Sequence, residues 1–200
     1  MAISRLGRER DALLAQRDAL LKAAKLALGE AESWIHDQLD GTSQLESELA
    51  KSTTGNALDK VSNPDAKRHI ELGIAEANMI GWLTGICATP PNSNKRTVVF
   101  ASSFAVFLPG RCYDQTRNGL AYSNLDGNLV GTHGGIFTGK DGGSHQGLED
   151  IALTRVIPGM RVYSPSDAIS AVKAIEAAIN YDGPTYIRLG REKSPVFTTE

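Results

Sequence analysis

From residue 69 onward, short runs of β-favouring residues alternate with longer helix-forming runs, and few architectures satisfy that alternation. The expected strands are His69–Leu72, Thr97–Ala101, Asn128–Thr132, Arg161–Tyr163 and Thr185–Leu189. The expected helices are Ile74–Ala88, Arg111–Ala121, Gln146–Val156 and Ser166–Asn180. Ser166 reads as the N-cap of the last helix, with Asp167 in its first turn and Gly183-Pro184 closing the connection. Strand–helix alternation predicts an α/β fold, a mostly parallel sheet flanked by helices. Ligands of such sheets sit beyond the carboxyl ends of the strands. The polar clusters fall in those places: Ser102-Ser103, His133-Gly134-Gly135, and Arg188 through Arg191.

The chain divides near residue 45. Residues 1–45 are rich in Ala, Leu, Arg, Lys and Glu and read as an atypical helical N-terminus; residues 46–200 form the α/β domain. A tandem heptad starts at Arg10 and Arg17, which puts Leu13, Leu14, Leu20 and Leu21 on one helix face. Two heptads fall short of a coiled coil and suit an amphipathic helix on a core or partner. Residues 40–68 are polar and turn-rich. A net charge of −2 offers nothing to nucleic acid or an anionic membrane surface. No apolar run is long enough to span a bilayer, and no signal-peptide core opens the chain. Two cysteines without a pairing pattern suit a reducing compartment, so the expected location is cytoplasmic.

Four groups of residues could carry chemistry. Glu76 is an acid among small and apolar residues, and a buried carboxylate needs a partner. Beside it Gly73, Ala77, Gly81 and Gly85 recur every four residues, a stripe suited to close packing against another backbone. Phe104 and Phe107 leave a strand into a Pro-Gly turn; this spacing suits either a core or a wall for a flat ring. Gly131 through Gly147 holds seven glycines with His133, Asp141 and His145, which suits either a loop that hydrogen-bonds a polyhydroxylated or phosphorylated substrate or a glycine-rich surface loop. The two histidines lack the spacing or cysteine partners of a metal site, so no metal is assigned to this chain. Arg188 and Arg191 at a strand end suit either anion binding or structural ion pairs.

Residues 69–193 resemble the pyrimidine-binding domain of the transketolase family of thiamine-diphosphate enzymes. The motifs run in order: His69-Ile-Glu-Leu-Gly-Ile-Ala-Glu76, Ser103-Phe-Ala-Val-Phe107, Arg111-Cys-Tyr-Asp-Gln115, Asp141-Gly-Gly-Ser-His-Gln146, Leu148-Glu-Asp150 and Gly183-Pro-Thr-Tyr-Ile-Arg188. The resemblance implies a thiamine-diphosphate-binding fold and transfer of a two-carbon ketol unit from a ketose phosphate to an aldose phosphate. It implies that Glu76 bonds N1′ of the cofactor's aminopyrimidine, and that Phe104, Phe107 and Arg111 complete the cofactor pocket. It further implies that His133, Asp141 and His145 face sugar hydroxyls, with His145 also catalytic. Arg191 would bind the sugar phosphate, with Arg188 as a second candidate.

The chain departs from the family pattern in three ways. It has no Gly-Asp-Gly motif with a downstream Asn; Leu125-Asp-Gly-Asn128 lacks the first glycine. The resemblance therefore implies a partner, an N-terminal transketolase subunit holding the diphosphate with Mg²⁺ or Ca²⁺, in a homo- or hetero-oligomer. The family's third domain, which follows the pyrimidine domain, is not represented. The family's apolar strand near the start is replaced by Asp37 through Leu45, and a strand missing there would expose a sheet edge or leave the N-terminal helix to cover it. The rival readings are a subunit similar to 1-deoxy-D-xylulose-5-phosphate synthase and a non-catalytic relative serving as an assembly partner.

Overall fold

Six short strands pair in parallel in the order β2-β1-β3-β4-β6-β5. They belong to a computed structural model that describes residues 43–46, 69–90, 97–192 and 194–199. The strands are β1 Ser43–Glu46, β2 His69–Glu71, β3 Val99–Phe104, β4 Gly127–Thr132, β5 Arg161–Tyr163 and β6 Thr185–Arg188. The main helices are α1 Glu76–Ala88, α2 Leu108–Arg111, α3 Asp150–Arg155 and α4 Ala168–Ile179. The helical N-terminus, the heptad and the turns of residues 47–68 lie outside the described residues.

The strand that the sequence reading found missing is present among the described residues. β1 lies between β2 and β3, with Leu45 opposite both Ile70 and Ala101. This strand also straddles the division drawn near residue 45. Its sequence, Ser-Gln-Leu-Glu, carries no apolar run, so pairing with two neighbours rather than local preference makes it a strand.

The core lies between the sheet and α1. Met79, Ile80 and Leu83 of α1 are fully buried with Val99, Ala101, Leu108, Leu120, Leu129 and Tyr186. Each such aliphatic side chain contributes about 1.5–3 kcal/mol by leaving water. Asn128 is fully buried yet satisfied: its Nδ2 donates to Val99 O at 3.1 Å and its Oδ1 accepts from Thr185 Oγ1 at 2.7 Å. These bonds tie β3, β4 and β6 in one register.

Three helices differ from their sequence expectation. The one expected over Arg111–Ala121 begins earlier, because Pro109 suits the first turn of α2. It then gives way to a π-helical stretch, Gln115–Ala121. The helix expected from Gln146 starts only at Asp150. Gly147 is bridged to Gly134 and Gly135, and an added Cβ there would lie 3.1 Å from Val106 N, so this residue belongs to a close backbone crossing. The cap of α4 is Asp167 rather than Ser166: Asp167 Oδ1 accepts from Ser170 N at 2.9 Å, and Ser170 Oγ accepts from Asp167 N at 3.0 Å. The other Asp167 oxygen accepts from Phe197 and Thr198 N, which pins the tail to the start of α4. Burial opposes the Asp167 charge, but these hydrogen bonds outweigh it and hold the carboxyl well below the usual range.

The small-residue stripe of α1 faces outward. Among the described residues nothing lies within 4 Å of a Cβ added at Gly81 or Gly85, and Trp82 beside them is 47% exposed.

Candidate active site

The carboxyl ends of β3 and β4 and the first turn of α1 converge on one pocket. Glu76 is the first residue of α1, where the free N–H groups of the helix favour a carboxylate. It is 3% exposed. Its partner is Arg111, whose Nη1 donates to Oε1 at 3.2 Å and to Oε2 at 3.3 Å. Ser103 Oγ approaches Oε1 at 3.5 Å from the end of β3. The Arg111 side chain is half exposed, so the pair stands at the mouth of the pocket with its acid inside.

The same guanidinium lies flat on Phe107, 3.8 Å above the ring centroid. Phe107 is stacked with Phe104 at 5.9 Å and 7° between planes. His133 stacks on Phe104 at 4.0 Å and 19°. His145 stands edge-on to both phenylalanines, at 5.1 Å from Phe107 and 6.0 Å from Phe104. Burial is what the core alternative for Phe104 and Phe107 expects. Both rings are buried, and both line an aromatic wall.

His133 is held tightly. Its φ of 58° is left-handed, an uncommon conformation for a residue with a side chain and a mark of local constraint. Its Nδ1 lies 3.2 Å from Thr132 Oγ1. Burial lowers its pKa, the Arg191 charge lowers it further, Asp141 pulls the other way, and His145 adds a smaller lowering. The sign for stability follows. Below an unfolded pKa of about 6.5 the unfolded chain takes up a proton that the folded chain resists. This contribution is present above that pH and is lost as pH falls toward the folded pKa. The denaturation midpoint of the wild type is expected to drop more between roughly pH 7.5 and 5.5 than that of His133→Asn, since asparagine accepts the same backbone without titrating there. Equal drops in urea titrations would remove His133 from this role.

The other candidates divide into two sets. Asp141 and Arg191 pair at the rim, Nη1 to Oδ2 at 2.9 Å, and Arg191 also donates to Thr138 O. Each is about a third exposed (34% and 35%). Arg188 instead turns to Asp150 and to Gly147 O. Asp150 and Tyr186 are the residues that sequence reading missed as a cluster. Their signal was an acid opening a helix and a tyrosine in an apolar strand, which meet only in the folded sheet. Neither cysteine is a thiolate near neutral pH: burial pushes both Cys87 and Cys112 up to about 12, with the charges of Asp126 and Glu76 adding to it. Among the described residues no three His, Cys, Asp or Glu side chains gather to hold a metal.

Glu76 and Phe107 together hold a flat, N–H-bearing group. A planar, N–H-bearing group, the Arg111 guanidinium, already rests on Phe107 and donates to the buried Glu76. An aminopyrimidine presents the same attributes to the same two surfaces.

The family model described as the transketolase pyrimidine-binding domain matches residues 22–196. A protein named as a transketolase C-terminal section from Methanocaldococcus jannaschii is 35% identical over 175 residues, covering 88% of this chain and 52% of that protein. Human transketolase is 37% identical over 174 residues, 87% of this chain and 26% of the human protein. The chain thus spans from about a quarter to about half the length of these relatives. A solved structure described as a split gene transketolase, inactive beta4 tetramer, superposes with a TM-score of 0.70 at 34% identity, covering 88% of this chain and 54% of that one. A Campylobacter jejuni transketolase shares the fold at a TM-score of 0.68 and 23% identity, covering 82% of this chain and 26% of that one. This chain belongs to the transketolase family, of which it carries the pyrimidine-binding domain.

Proposed function

We propose that this chain is a cytoplasmic subunit of a transketolase-type enzyme that moves a two-carbon ketol unit from a ketose phosphate to an aldose phosphate, with the diphosphate and metal sites on a partner chain. The observation that supports this reading is that the Arg111 guanidinium both donates to the buried Glu76 carboxylate and covers the face of Phe107, which brings the acid and that ring face together. Thiamine diphosphate, when bound, supplies the nucleophilic carbon that such a transfer needs. Glu76 would hold a proton shared with the ring nitrogen of the pyrimidine. Phe107 would carry the ring, with Phe104 stacked behind. Arg111, half open to solvent, can yield the face of Phe107 to that ring. His133, its pKa lowered by burial, would serve as a hydrogen-bonding group for sugar hydroxyls, together with His145 and Asp141. Arg191 at the rim would meet the sugar phosphate.

An apolar rim suits the partner. Ile136, Phe137 and Leu148 are each more than half exposed around the glycine-rich segment, at 58%, 68% and 64%. A covering chain would exclude water from the pocket and strengthen each charge interaction inside it.

The test is reconstitution. The purified chain is mixed with an N-terminal transketolase subunit carrying Gly-Asp-Gly and the downstream Asn, thiamine diphosphate and Mg²⁺. Ketol transfer is expected from the mixture and from neither chain alone. A mixture that assembles without transferring a ketol unit would leave the non-catalytic assembly partner as the correct reading.

A further inference from the structure

A second cluster of buried charge lies behind the aromatic wall. Asp150 is fully buried at the start of α3. Its Oδ2 accepts from Tyr186 Oη at 2.8 Å and lies 3.0 Å from Arg188 Nε. Tyr186 is itself fully buried in β6, and burial together with the Asp150 charge keeps its hydroxyl protonated. From this anchor Arg188 reaches out: its Nη2 donates to Gly147 O at 2.9 Å. That same carbonyl accepts from Gly135 N at 2.8 Å.

The backbone is shaped around these side chains. A Cβ at Gly134 would sit 2.5 Å from Arg188 Nε and 2.7 Å from its Cγ. A Cβ at Gly131 would collide with Tyr186 Oη and lie 2.8 Å from Cζ. The glycines let the chain cross directly over the cluster. Gly134 follows His133, and Gly147 lies two residues after His145. Arg188 therefore packs against the segment after His133 and hydrogen-bonds the segment after His145, at the same carbonyl that Gly135 N reaches.

We propose that Arg188, anchored by Asp150 and Tyr186, is a positioning residue that ties Gly134-Gly135 to Gly147 and so sets His133 flat on Phe104 and His145 against its edge. Its bearing on catalysis rests on the ketol-transfer reading above; its bearing on histidine geometry does not.

Two readouts test it, on Arg188→Met, Arg188→Lys and Asp150→Asn. The first is the ring-proton resonance of His133 in the full chain, shifted by the Phe104 ring current. It is expected to move toward the free-imidazole position in Arg188→Met and Asp150→Asn, and by less in Arg188→Lys, which keeps a charge beside Asp150. The second is steady-state transfer by the complex with its partner, from a phosphorylated and an unphosphorylated ketose. Arg188→Met is expected to lower kcat at least tenfold for both donors by the same factor, with the ratio of their KM values unchanged. A KM rise confined to the phosphorylated donor would show a phosphate ligand and overturn the proposal. So would a His133 resonance unmoved in all three variants. If the unsubstituted complex is inactive, the ketol-transfer reading fails, while the resonance still decides the geometry.

Discussion

Glu76→Gln in the reconstituted complex is expected to lower ketol transfer by about 10²–10⁴-fold, the range that a positioned proton-transfer group contributes. The substitution is close to isosteric. It leaves the first turn of α1 with a polar group at the same place, so Ser103 and Arg111 keep a hydrogen-bonding neighbour. What it removes is the carboxyl proposed to share a proton with a ring nitrogen. The lost ion pair costs little in stability, about 0–1 kcal/mol, because the remaining Arg111 is half exposed and regains water. Activity and stability should therefore separate: a large fall in kcat with nearly unchanged circular dichroism and thermal midpoint. Full activity in Glu76→Gln would exclude Glu76 from the chemistry. Parallel loss of activity and fold would assign it a structural role instead.

The sequence was most legible where local pattern and tertiary use agree. β5 follows its residues closely, since Val162 and Tyr163 favour a strand, and α4 lies where it was expected although its cap falls at Asp167, one residue after Ser166. β1 was illegible because a strand held on both edges needs no apolar run of its own. The start of α3 was misread because Gly147 serves a backbone crossing that no local signal announces. In the site, Glu76, Phe104, Phe107 and the loop histidines stood out as residues costly to bury or dense in one segment. The pairing of Arg111 with Glu76 did not, since the guanidinium reaches the acid only when α2 folds back beside α1. Arg188 shows the same limit. An arginine at a strand end suits a phosphate or an ion pair equally, and only the approach of Asp150 from another element decides what it touches.

Phe104→Ala should have the largest effect on stability of any single change in the pocket. Phe104 closes β3, is 5% exposed, and touches Phe107, His133 and His145. Truncating a buried phenylalanine costs about 3–5 kcal/mol from lost transfer energy and the cavity left behind. Native domains hold only about 5–15 kcal/mol in total, so urea unfolding should show a midpoint shift large enough to approach unfolding at rest. The loss should also be shared with His133. In a double-mutant cycle, Phe104→Ala and His133→Ala are expected to be non-additive by about 0.5–1.5 kcal/mol, the value of a stacked aromatic pair beyond its buried area. Additivity would mean that the two rings merely lie near each other. Coupling would mean that Phe104 and His133 are one packed unit, so that the stability of this domain and the geometry of its candidate site cannot be changed separately.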